Sequence, residues 1–169
     1  MRPERLPFVG RAQDHLSPGG KSDPNALRLV FPGDQNAVRK ALKTAMHFLR
    51  SLNIPGDDCG SVELVLAEII NNVVKHAYGD RRVGIVELRI ILTGDLLTCE
   101  IIDDGLPMPD GDAPSGQQRD LDCAPDDLPE GGFGWFLIRE LTHDLIYDRD
   151  GNRNWLKFRM KLGRVQRCH

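Results

Sequence analysis

Around Glu63–Tyr78 the apolar residues Val62, Leu66, Ile69, Val73 and Ala77 recur at helical spacing, which predicts a helix with one stripe facing a core. Glu68, Asn72 and His76 follow one another at i, i+4 and i+8. Each step of four turns an α-helix by about 40°, so the three are expected on one narrow side, at the border of the stripe. A carboxylate, an amide and an imidazole at such a border are costly unless they meet partners or a ligand. A merely solvated polar flank is the plainer alternative.

The rest of the chain is read in the same way. Ala26–Phe31 alternates as a strand, stopped by Pro32-Gly33. Asp34 caps a helix through Leu52 whose inner face is Ala37, Val38, Ala41, Leu42, Ala45, Phe48 and Leu49. Asp57 or Asp58 caps the next helix, which runs to Tyr78-Gly79. Val83–Leu92 and Leu96–Ile102 form a hairpin about Thr93-Gly94-Asp95, and the second strand runs into Asp103-Asp104-Gly105. Met108–Glu130 is nearly devoid of aliphatic residues and too long for an ordinary connection, which predicts a mobile lid over residues 106–131. A helical run from Trp135 to Leu141 and two strands, Asp144–Tyr147 and Asn154–Leu162, complete the pattern. The order β-α-α-β-β-(lid)-α-β-β predicts an α/β (α+β) sandwich of two layers, a mixed, mostly antiparallel sheet with helices on one face.

Residues 1–25, rich in Pro, Gly and charge, read as a flexible leader before a domain over 26–162, with a basic tail at 163–169. A length of 169 residues suits one domain with a proper core. The net charge of −3 argues against a general nucleic-acid or anionic-membrane binder. That mild value hides an asymmetry: residues 103–130 hold nine acidic side chains and one basic, Arg119, a local charge of −8 against +5 elsewhere. No apolar run reaches the ~20 residues of a membrane span and no signal-peptide core is seen. Cys59, Cys99, Cys123 and Cys168 lie far apart without a CxxC pair, so reduced thiols in a cytoplasmic protein are expected.

Three constellations could carry chemistry. Gly131-Gly132-Phe133-Gly134 leads from a loop into a helix, where bare backbone and free N–H groups favour an anion. It is neither a P-loop, for it lacks Gly-Lys-Ser/Thr, nor a dinucleotide fingerprint. Asp103-x-Gly105 puts a carboxylate at a sheet edge beside a residue that admits a ligand to the backbone, although a plain turn would look the same. Asn72 offers an amide oxygen for the shell of Mg²⁺, and Glu68 one turn earlier is a carboxylate able to take a proton. A satisfied or capping histidine is the more ordinary role for His76. His47, His143 and His169 show no partner spacing, and Trp135 and Trp155 read as core or rim aromatics.

Taken in order, Glu68-x-x-x-Asn72, Asp103-x-Gly105 and Gly132-x-Gly134 resemble the Bergerat ATPase fold of gyrase, heat-shock chaperone ATPases, sensor histidine kinases and mismatch-repair ATPases. Gly-Gly-Phe-Gly-Trp-Phe-Leu-Ile-Arg139-Glu-Leu and Asp148-Arg-Asp-Gly151-Asn152-Arg153 look more narrowly like the RsbW/SpoIIAB-type anti-sigma factors, which are serine-protein kinases. The resemblance implies ATP and Mg²⁺ as cofactors, with Asn72 as metal ligand and Glu68 as general base. It implies Asp103 as acceptor for the adenine amine, Gly105 under the base, and Gly132, Phe133 and Gly134, with His76, on the cofactor side. It further implies a homodimer whose partners are an anti-anti-sigma protein, phosphorylated on serine, and a sigma factor. This chain has Gly151-Asn152 where many members carry Gly-Thr. A non-catalytic nucleotide-binding module that sequesters a regulator is the alternative, and the ATPase half of a split sensor kinase a third.

Overall fold

The computed structural model describes residues 23–78, 84–115 and 132–163. Most of the leader, Gly79, Val83, residues 116–131 of the lid with Arg119, and the tail after Gly163 lie outside the described residues. Strand β1 is Ala26–Pro32. Helix α1, Gln35–Ser51, starts where expected because Asp34 accepts from the N–H groups of Asn36 (3.0 Å) and Ala37 (2.9 Å). Helix α2, Gly56–Asn72, is followed without a break by a π turn, Val73–Tyr78. Asp57 and Asp58 do not cap it. Pro55 holds the cap position, both aspartates sit in the first turn, and the Asp58 carboxylate accepts from Gly163 N at 2.7 Å. Proline fits there because the missing N–H would have no helical partner.

Strands β2, Ile85–Thr93, and β3, Leu96–Asp103, are joined by Gly94-Asp95, with Gly94 at a φ of +65° as the tight turn requires. A short 3₁₀ turn, Pro109–Gly111, lies in the first part of the expected lid. Helix α3 is Gly132–Leu141, and β4, His143–Asp150, and β5, Arg153–Lys161, form the last hairpin. The sheet order is β1-β2-β3-β5-β4 with every pairing antiparallel, so no parallel strand occurs among the described residues. Each neighbouring pair either is a hairpin or meets through a segment that reverses direction, which leaves no right-handed parallel crossover to build.

Alternation along the strands separates the two faces. Val86, Leu88 and Ile90 of β2, Leu97, Cys99 and Ile101 of β3, and Leu156, Phe158 and Met160 of β5 are buried together with Val62, Leu66 and Ile69 of α2 and Ala45 and Leu49 of α1. Helix α2 packs between α1 and α3. Trp135 is in this core, and Trp155 lies on the opposite face with the Arg89 guanidinium 5.7 Å from its ring centre. That opposite face carries a ladder of charge: Arg28 and Arg89 both donate to Glu87 Oε1 at 2.6 Å, and Lys157 pairs with Glu100 at 3.2 Å. Opposite charges on adjacent strands stabilise an antiparallel ladder, and here they surround a Glu87 that is almost fully buried.

Candidate functional site

Two structural joints bring the predicted residues together at one end of the sheet. The first is between the π turn and the end of β3. Leu106 N donates to Ala77 O at 2.9 Å, and a Cβ on Gly105 would come within 2.4 Å of the Ala77 methyl and 2.7 Å of its carbonyl oxygen. Only glycine lets the Asp103-Asp104-Gly105 turn lie this close to the helix. The second joint is between α2 and α3. Glu68 Oε2 lies 2.5 Å from where a Gly134 Cβ would stand, so the carboxylate rests against the first turn of α3. Glu68 and Ala77 belong to one continuous helical element, and Asn72 lies between them in the chain.

Asn72 is partly buried, and its Nδ2 is a sealed side-chain atom with no hydrogen-bond partner among the described residues. An orphaned amide donor is costly inside a protein. His76, by contrast, is exposed. The residues after Asn72 lie in an i→i+5 turn, which advances each residue through less than the ~100° of an α-helix, so α-helical spacing does not describe the step from Asn72 to His76. Sequence periodicity carries no mark of that change. Tyr78 ends the π turn wedged against Gly33 and Gly84, where added methyl groups would meet its ring at 2.6 and 1.9 Å, and its hydroxyl donates to Ile85 O at 2.8 Å. Burial is the main reason its phenol is held well above the ordinary value, with Asp103 and Asp104 adding to it.

Asp103 is 6% exposed, and burial raises its carboxyl above the usual range despite hydrogen bonds from Asn154 and Gly105. Its Oδ1 accepts from Asn154 Nδ2 at 2.7 Å and from Gly105 N at 2.9 Å. The Gly151-Asn152 departure therefore falls in the hairpin turn, while the residue paired with Asp103 across the β3–β5 ladder is Asn154. Asn154, Tyr147 and Arg149 were not legible as site residues, since only strand register sets them beside Asp103.

The glycine motif behaves differently from a loop. Gly132, Phe133 and Gly134 already form the first turn of α3, and Phe133 is 64% exposed, its ring stacked at 6.1 Å on Phe136. The first part of the lid is pinned: Met108 N donates to Tyr147 Oη at 3.0 Å, and Arg139 donates to the carbonyls of Ala113 (3.0 Å) and Pro114 (3.1 Å). Ala113 is buried in consequence. Asp110 and Asp112 are exposed. Among the described residues no group of three or more His, Cys, Asp or Glu could by itself hold a metal ion.

This arrangement of helix, strand end and glycine-opened helix is that of a nucleotide-binding ATPase domain. Residues 31–160 match the Histidine kinase-like ATPase domain family, and the chain belongs to it. It is 29% identical over 126 residues to the serine-protein kinase RsbW of Bacillus velezensis, covering 70% of this chain and 75% of that one. It is 21% identical over 129 residues to the anti-sigma F factor of Geobacillus stearothermophilus, covering 76% and 86%. A blue-light-activated histidine kinase 2 of Erythrobacter litoralis is 30% identical over 97 residues, but the match spans 24% of that longer protein and 56% of this chain. In fold, the chain superposes on a solved structure of the RsbU and RsbW domains of a Mycobacterium tuberculosis protein. That match has a TM-score of 0.57 at 15% identity, over 81% of this chain and 32% of the other. No helix among the described residues is long and apolar enough to cross a membrane.

Proposed function

We propose that this chain is a cytoplasmic anti-sigma-type regulator, an ATP- and Mg²⁺-dependent kinase that phosphorylates a serine on an anti-anti-sigma partner and otherwise holds a sigma factor. The observation that carries it is the placement of Asn72 one turn after Glu68 on one helical element, with the Glu68 carboxylate at the start of α3. The likeness to an RsbW serine-protein kinase and to an anti-sigma F factor supports the partner-switching role.

The donor set fits Mg²⁺ held mainly by water and phosphate, with Asn72 supplying one amide oxygen. Bound Mg-ATP supplies the transferable phosphoryl group and the neutralising charge; the protein's part is positioning. Asp103 would accept from the adenine amine beside Gly105, and the backbone of Gly132–Gly134 would hold the phosphates at the helix start, with Phe133 and His76 on the cofactor side. Glu68 would take the proton of the serine hydroxyl while the serine oxygen bonds to the γ-phosphorus and the bond to ADP breaks. Helix α1 carries Arg39, Lys40, Lys43 and Arg50 with no carboxylate, a surface suited to an acidic partner.

A second reading keeps the nucleotide and drops the transfer: the contact of Glu68 with the Gly134 turn is also what a purely structural carboxylate would make. Labelled ATP and a candidate partner separate the two. Glu68→Gln is expected to bind ATP with parental affinity while transfer falls by about 10²–10⁴-fold. Transfer at the parental rate would remove Glu68 as the base, and parental protein that binds ATP without any transfer would favour the module.

A further inference from the structure

The orientation of the Asp103 carboxylate is decided by a chain of hydrogen bonds outside the motif itself. Asn154 Oδ1 accepts from two donors, the Tyr147 hydroxyl at 2.7 Å and the Arg149 guanidinium. A guanidinium can only donate. The Tyr147 oxygen accepts from Met108 N at 3.0 Å, which turns its own proton toward Asn154. With both donors on one side, the Asn154 amide has a single satisfactory orientation, its NH₂ facing Asp103 Oδ1 (2.7 Å) and Leu106 O (3.0 Å). Arg149 is itself tied down by Gly105 O at 3.0 Å.

Asp103 Oδ1 is thus occupied twice, by Asn154 and by Gly105 N. Oδ2 takes no hydrogen bond from a described residue, which leaves it as the acceptor for a ligand. A carboxylate oxygen accepts an N–H and repels a carbonyl oxygen.

We propose that Asn154, held by Arg149 and Tyr147, is a positioning residue that sets base selectivity: it holds Asp103 so that the pocket takes a purine with an exocyclic amine and rejects one with an oxo group. The inference rests on the nucleotide reading of this site and adds a selectivity determinant on β4 and β5. A side chain that only supported the fold would affect all nucleotides equally. Asn154 instead controls the ratio between them.

Calorimetric titration of ATP and inosine triphosphate, which carries an oxo group in place of the amine, tests this. The parental protein is expected to prefer ATP by tenfold or more. In Asn154→Ala that ratio is expected to fall about five- to tenfold, through weaker ATP binding, with inosine triphosphate affinity within about twofold of parental. Asn154→Thr, whose hydroxyl can still donate to Asp103, is expected to restore part of the ratio. Arg149→Met, which keeps Asn154 but frees its amide to flip, is expected to lower the ratio as well and serves if Asn154→Ala does not fold. An unchanged ratio in Arg149→Met and the folded Asn154 variants, or equal losses for both nucleotides, would overturn the inference and leave the nucleotide site standing. Equal parental affinity for the two nucleotides would do the same. A parental protein that binds neither would overturn the nucleotide reading and the inference together.

Discussion

A carboxylate that must accept a ligand's proton donor has to be ionised in a place that disfavours charge. Asp103 is in that position, because burial raises its carboxyl above the ordinary aspartate value of about 4. The consequences for folding and for binding have opposite signs. In the folded state the proton is held more tightly than in the unfolded chain. Asp103 therefore costs stability at neutral pH, and that cost disappears as pH falls through the raised value. Protonation also replaces the acceptor by a donor. We expect the preference for ATP over inosine triphosphate to decline on acidification at a pH above the ordinary aspartate range. Asp103→Asn is expected to show no such decline, and to fold at least as stably, since an amide oxygen still accepts from Asn154. A nucleotide preference that is flat with pH in the parental protein would count against Asp103 as the base acceptor. Glu68, Asn72, Asp103, Gly105 and Gly134 could be picked out from the sequence because each sits in a short motif on a predictable element. The partners of Asp103 could not, because Asn154 is 51 positions away.

At the scale of elements, the places where periodicity misleads are the places where backbone geometry changes. The stretch from Asp58 to Tyr78 reads as one helix, but its last six residues, Val73–Tyr78, form a π turn with His76 exposed, and the turn ends on Tyr78 between two glycines. Such turns are common at functional sites because they re-aim side chains that an unbroken α-helix would align. The 3₁₀ turn and the Arg139 contacts likewise bind residues 106–115 to the body, although the composition there reads as free loop. The ladder β1–β2–β3 holds a further element-level feature. Burial disfavours the charged form of Glu87, but Arg28 and Arg89 more than offset it and bring its carboxyl below the usual value. Its contribution to stability is therefore full above the unfolded value of about 4.3 and is lost as pH falls through the lower folded value. Glu87→Gln should reduce stability at pH 7 by about 1 kcal/mol, a modest figure because Arg28 is half exposed. The gap to the parental protein in urea unfolding should shrink below pH 4. A gap that persists unchanged at acid pH would mean that packing, not charge, is what the ladder supplies.

Across the whole molecule, β3 is the middle strand of five and α2 packs against both α1 and α3, so the strand end and the helix that carry the site each lie at the centre of their layer. A ligand held between them bridges the layers. Mg-ATP at about 100 times its Kd should raise the unfolding free energy by ~2.7 kcal/mol. Asn72→Ala is expected to abolish the part of that gain that depends on magnesium, which thermal unfolding with and without chelator would read. A gain of equal size in Asn72→Ala would remove Asn72 from the metal's surroundings. The sequence by itself determined the elements, the inward face of each and the motif residues, because these follow from local spacing, capping and turn chemistry. It also carried enough of the motif order to point to the ATPase family. Tertiary structure alone decided that every strand pairing is antiparallel, that the helix carrying Glu68 and Asn72 ends in a π turn, and that Asn154, held by Arg149 and Tyr147, meets Asp103. The reason is physical: strand register and a single extra residue in a helical turn are set by long-range packing, which leaves no periodic trace along the chain.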